Sequence, residues 1–172
     1  MSNAFSEVAE RHSSREVALG LAVRRAVMTL FAAIVALGLI GVFGQRASES
    51  TASTGAATLR LSAPDTVRGG LLFQSKIDIR ALRDIEFPRL VLDDGWVEGL
   101  QLNSIEPQPQ SESSRNGRLV LSYSKLAAGD VLRIWFEYQV VPIYAGRRSY
   151  GLELDDERTA VGRIDRKLTV LP

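Results

Sequence analysis

Side chains able to do chemistry are scarce in this sequence. The one histidine is His12, and cysteine is absent. Beyond residue 12 the chain therefore has neither thiol nor imidazole for transition-metal ligation or nucleophilic catalysis. No Gly-rich phosphate-binding motif is present. Two acidic runs, Asp93-Asp94 and Asp155-Asp156-Glu157, are weak calcium candidates. Calcium takes roughly six to eight oxygen ligands, which loops can supply. Neither run has the alternating spacing of a dedicated calcium loop, and carboxylates are ordinary in tight turns. Carboxylate pairs also serve glycosidases, but nothing here marks a cleft between two such groups. The reading is a protein without catalytic residues or cofactor.

Binding is better represented. Trp135 interrupts a polar alternation of Arg133, Glu137 and Gln139, as a contact residue on an exposed strand face would. Trp96 follows a turn, where it either caps the core or stands in an end loop. Tyr144 with Arg147 and Arg148 flanks Gly146, and that group suits anionic headgroups, glycan or plain solvent. These six residues, Trp135, Arg133, Trp96, Tyr144, Arg147 and Arg148, are the candidate partner-binding set.

The element that must place them is the run Ala26–Phe43, eighteen residues without a charge. With Gly44 it spans roughly 28 Å as an α-helix, close to a hydrocarbon core. Arg24 and Arg25 precede it, and Arg46 follows it alone. Positive charge resists translocation, so residues 1–25 read as a cytoplasmic leader and 26–44 as an uncleaved signal anchor contacting the bilayer. Ser13 with Glu16 has capping-box spacing, which predicts a helix from about Ser14. Residues 45–57 are rich in Ser, Thr, Ala and Gly and read as a flexible linker. The remainder, 58–172, would stand outside the cytoplasmic membrane.

In that remainder the hydrophobic period is two. Phe73, Ser75, Ile77, Ile79 and Ala81 alternate with polar residues, as do Leu132, Ile134, Phe136, Tyr138 and Val140. Glu106–Asn116, with Pro107 and Pro109, reads as an exposed loop, and Ala160–Val170 as one final strand. Seven or eight strands with frequent turns predict an antiparallel β-sandwich, with a small barrel as the alternative. The net charge is +1, which does not suggest nucleic acid. Arginine outnumbers lysine eighteen to three, a bias that favours a high-GC bacterial source.

Three turns carry a resemblance: Val67 with Gly70, Leu126-Ala127-Ala128-Gly129-Asp130, and Ala145-Gly146. On these, Leu59–Val170 resembles the immunoglobulin-like repeats of bacterial surface and envelope proteins. The chain departs from that pattern at Ala81-Leu82-Arg83-Asp84, where Asn-x-Gly is usual. The whole chain is similar to small actinobacterial-type single-pass membrane proteins bearing such a domain. The resemblance implies an immunoglobulin-like sandwich and brings no catalytic residues. The chain as a whole, with a short stretch between anchor and domain, reads as a protein–protein interaction module, an accessory or scaffolding subunit beside an unknown membrane or envelope protein. Extracytoplasmic sensing or binding of a ligand or calcium is the alternative.

Overall fold

The computed structural model describes residues 3–39 and 45–172. The end of the expected 26–44 span, residues 40–44, lies outside the described residues. The chain forms two units, residues 1–44 and 45–172.

In the first unit, α1 runs Asn3–Leu39. It begins well before Ser14, so Ser13 lies inside the helix rather than at its start. The physical reason is that Asn3 to Leu19 contains no Gly or Pro, while Ala, Glu, Arg and Leu favour continuation. Within α1 the window Gly20–Leu37 is long and apolar enough to cross a membrane. Val27, Met28, Leu30 and Phe31 in it are all exposed.

The second unit is built of β-strands. Residues 45–57 are not a linker: β1, Ala47–Ser53, pairs antiparallel with β2, Ala57–Pro64. The alternation of β1 is one of size, with Ser48, Ser50 and Ala52 half-buried, so it leaves no hydrophobic signature. After β3, Thr66–Arg68, come β4, Leu72–Ala81, and β5, Pro88–Leu92. A 3₁₀ turn, Asp94–Trp96, leads to β6, Leu100–Glu106. The expected loop Glu106–Asn116 contains a strand, β7, Ser111–Arg115, paired with β8, Arg118–Ser122. Every residue of β7 is exposed, so it carries no apolar alternation. Then follow β9, Val131–Val140, β10, Gly146–Ser149, and β11, Leu152–Asp156.

The final segment is two strands rather than one: β12, Thr159–Ile164, and β13, Lys167–Leu171. Arg166 makes the corner between them. It is 8% exposed, and its guanidinium donates to the carbonyls of Ser48 and Ala63 and pairs with Asp65 at 2.8 Å. The described residues thus form thirteen strands, more than the seven or eight expected, because short edge pieces lack a hydrophobic period.

One sheet has the order β1-β2-β4-β9-β6 and the other β12-β11-β5-β8-β7. Pairing within both is antiparallel. A smaller sheet, β10-β13-β3, has one parallel pair, β13 with β3. Their inward residues share one core. Ile77, Ile134 and Phe136 from the first sheet and Leu90, Leu121 and Leu154 from the second are fully buried in it. Both long alternating strands bury the faces expected. Ser75 is the polar member of that face, and its hydroxyl meets the Tyr150 hydroxyl at 2.9 Å. Gly129 has φ +95°, a turn geometry that favours glycine.

Candidate interaction surfaces

Trp135 stands on the outer face of β9, opposite Lys76 on β4 and Glu106 on β6. It is 44% exposed. The Lys76 ammonium sits 5.3 Å from the ring centroid, a cation–π contact that holds the indole against the sheet. Lys76 also pairs with Asp78 at 2.8 Å, and Arg133 pairs with the same carboxylate at 2.7 Å. Burial acts to raise the Asp78 pKa, but bonds to Lys76 and Arg133 outweigh it and hold the carboxyl below its ordinary value. Trp135 is therefore an exposed aromatic surface framed by a fixed row of charges.

Trp96 is not part of any surface. It is fully buried, stacked 4.0 Å from Tyr150 with 8° between the rings, and edge-on to Phe136 at 5.1 Å. Its indole N–H donates to the Gly151 carbonyl at 2.9 Å. The 3₁₀ turn folds the indole inward, because burying so large an apolar ring with its N–H satisfied is favourable. The partner-binding assignment of Trp96 is corrected accordingly.

Asp93 is 5% exposed and ringed by arginine. Arg118 pairs with it at 2.9 Å and Arg163 at 3.2 Å. The Ser149 hydroxyl donates to it at 2.6 Å. The same two arginines also reach Glu153, at 3.0 and 3.3 Å. Asp155 pairs with Arg115 at 3.1 Å. Asp94 accepts from the Gly95 N–H, and Asp156 from the Phe87 N–H. Glu157 occupies a turn with φ +60°. Guanidinium groups thus stand where a cation would bind at Asp93 and Asp155. Among the described residues no group of three or more His, Cys, Asp and Glu could hold a metal ion. The arginine partners were not legible in sequence, since Arg118, Glu153 and Arg163 meet only through strand pairing.

Tyr144, Arg147 and Arg148 gather at one end of the sandwich. Arg148 donates to the Glu98 and Tyr144 carbonyls and so braces the loop. Tyr144 and Arg147 are exposed. Beside them are Leu71 and Leu72, after the Gly69-Gly70 turn, and Ile143. Those three were missed, although apolar residues beside Gly and Pro in turn segments were the available signal.

Two facing antiparallel sheets over one core make this an immunoglobulin-like β-sandwich, following an apolar helix in the chain. No family model matches the sequence. No curated protein matches it. Solved structures similar to it include the CARDB domain of a Pyrococcus furiosus protein in complex with di-metal ions. That likeness has 14% identity and a TM-score of 0.43, covering 69% of this chain and 97% of that one. Another is a non-cellulosomal cohesin from the hyperthermophilic archaeon Archaeoglobus fulgidus. There the identity is 10% and the TM-score 0.41, with 74% of this chain and 92% of that one covered. Likeness this slight assigns the chain to neither group.

Proposed function

We propose that this is a bacterial single-pass membrane protein whose sandwich, outside the cytoplasmic membrane, binds another protein. It would serve as an accessory or scaffolding subunit of a membrane-protein assembly, with a binding rather than a catalytic role. The observation that carries the reading is Trp135, held open on a sheet face by Lys76. An exposed indole on a strand invites nonspecific sticking unless a partner covers it. Arg133 and Asp78 beside it give a charge pattern that selects among partners. The apolar window of α1 supports the anchor, and Arg24-Arg25 supports a cytoplasmic N-terminus.

The test is crosslinking in native membranes with and without Trp135→Ala. Loss of such an anchor removes about 2 kcal/mol or more of binding, on the order of thirtyfold in affinity. The variant should keep its unfolding midpoint and lose the crosslinked partner. Retention of the partner by the folded variant would refute this surface.

A further inference from the structure

We propose that the end of the sandwich where β1 begins is a bilayer-docking rim that rests on anionic lipid headgroups; this depends on the membrane-anchor reading of residues 26–44. The apolar run ends at Phe43 and β1 begins at Ala47, four residues on. Four residues of extended chain reach roughly 14 Å at most. The start of β1 must therefore lie close to the surface where the apolar run leaves the bilayer.

Strand register shows which end of the sandwich that is. Ala47 pairs with Pro64, β2 runs antiparallel to β4, and Leu72 pairs with Gln139. The start of β1 thus shares an end with the start of β4 and the finish of β9. The Gly69-Gly70 turn and the loop after Val140 close this end, joined by the Gly70 N–H to the Val140 carbonyl at 2.8 Å. The opposite end is a ten-residue strand away, about 33 Å.

The proximal end is also the apolar one. Ten large hydrophobic residues of the β unit are exposed, and six of them are Leu71, Leu72, Val97, Ile143, Tyr144 and Leu171. Ile143 is 82% exposed at the tip. Its loop is held by backbone bonds from Val141 to Gly99 and from Tyr144 to Val141, and by Arg148 on the Tyr144 carbonyl. A braced turn that holds Ile and Tyr out in water is unfavourable unless something apolar covers them. Tyrosine suits the headgroup boundary, where its ring is buried and its hydroxyl stays wet. Arg68 and Arg147 are exposed and make no side-chain hydrogen bond or ion pair among the described residues. Placed against a bilayer, they would meet anionic headgroups.

The full chain has no cysteine, so single labels report one site each. Ile143→Cys, Leu72→Cys, Phe87→Cys and Ala32→Cys would each carry a nitroxide in protein reconstituted into phosphatidylcholine vesicles, with or without phosphatidylglycerol. Relaxation by oxygen against a water-soluble nickel chelate reads depth. The expected result is that labels at 143 and 72 favour oxygen, as the label at 32 does, while the label at 87 stays accessible to chelate. Phosphatidylglycerol should deepen the first two, and Arg68→Glu or Arg147→Glu should reduce the docked fraction several-fold. A label at 143 as wet as that at 87, with 32 in the bilayer, overturns the rim and leaves the anchor standing. A wet label at 32 overturns both. Protection at 143 only at high protein-to-lipid ratio indicates a second copy instead and overturns the proposal. Equal protection in the two vesicle types overturns its anionic component.

Discussion

Arg118 on β8 and Arg163 on β12 come from strands with two others between them, yet both grip the same two carboxylates, Asp93 and Glu153. The four groups close a ring that ties the residue following β5 to β8, β11 and β12. Each guanidinium has the planar fork needed to serve two acceptors at once, which lysine lacks. Asp165 extends the ring, pairing with the Arg163 Nε at 2.7 Å.

Removing the charge of the central member should therefore be felt. Asp93→Asn leaves the half-buried Arg118 and the more exposed Arg163 short of a counter-charge at a buried position. The expected loss is roughly 2–3 kcal/mol of unfolding free energy, measured by urea titration. Glu49→Gln, at an exposed pair 3.9 Å from Arg60, should change stability by less than about 0.5 kcal/mol.

The same ring makes stability depend on acid. Burial acts to raise the Asp93 pKa, but the Ser149 hydroxyl and the two arginines outweigh it and hold the carboxyl below its ordinary value. A carboxyl depressed in the folded state stabilises the fold above its unfolded pKa and loses that contribution as pH falls through the folded value. Stability should hold down to about pH 5 and decline below about pH 4. The Asp93→Asn variant should show a shallower acid decline, and an identical slope would exclude Asp93 as a contributor.

The two tryptophans should report opposite environments. Trp135→Phe leaves Trp96, fully buried, and should give blue-shifted emission resistant to iodide. Trp96→Phe leaves Trp135, 44% exposed, and should give red-shifted, readily quenched emission. Similar quenching in both variants would contradict the assigned faces.

Neighbours on β9 should differ sharply in cost. Phe136 is fully buried, so Phe136→Ala should lose about 3–5 kcal/mol. Glu137→Ala, on the opposite face, should lose less than about 1 kcal/mol. Thermal or denaturant unfolding checks the pair.

For the proposed topology, a reporter active only outside the cytoplasm should work when fused after Pro172 and fail when fused before Ala26. Replacing Arg24 and Arg25 by Glu should weaken that orientation.

How much of this was legible differs by element. The run Ala26–Phe43 and the alternation in β4 and β9 announce a helix and two half-buried strands, because hydrophobic period is a local property. The turns at Gly70 and Gly129 were marked by glycines that adopt positive φ. β1 and β7 were hidden, since an edge strand facing water needs no apolar face. The corner at Arg166 was hidden because its acceptors lie on β1 and β2, far back in the chain.

The candidate site divides the same way. The sequence alone placed Trp135 outward, since strand parity decides which face a residue takes. It also ruled out thiol and imidazole chemistry beyond residue 12 by composition. Only the tertiary structure decided that Trp96 turns inward onto Tyr150, that Asp93 belongs to arginines, and that Leu72 and Ile143 share an end. Those outcomes depend on pairings between distant segments, which strand register fixes and local pattern does not encode.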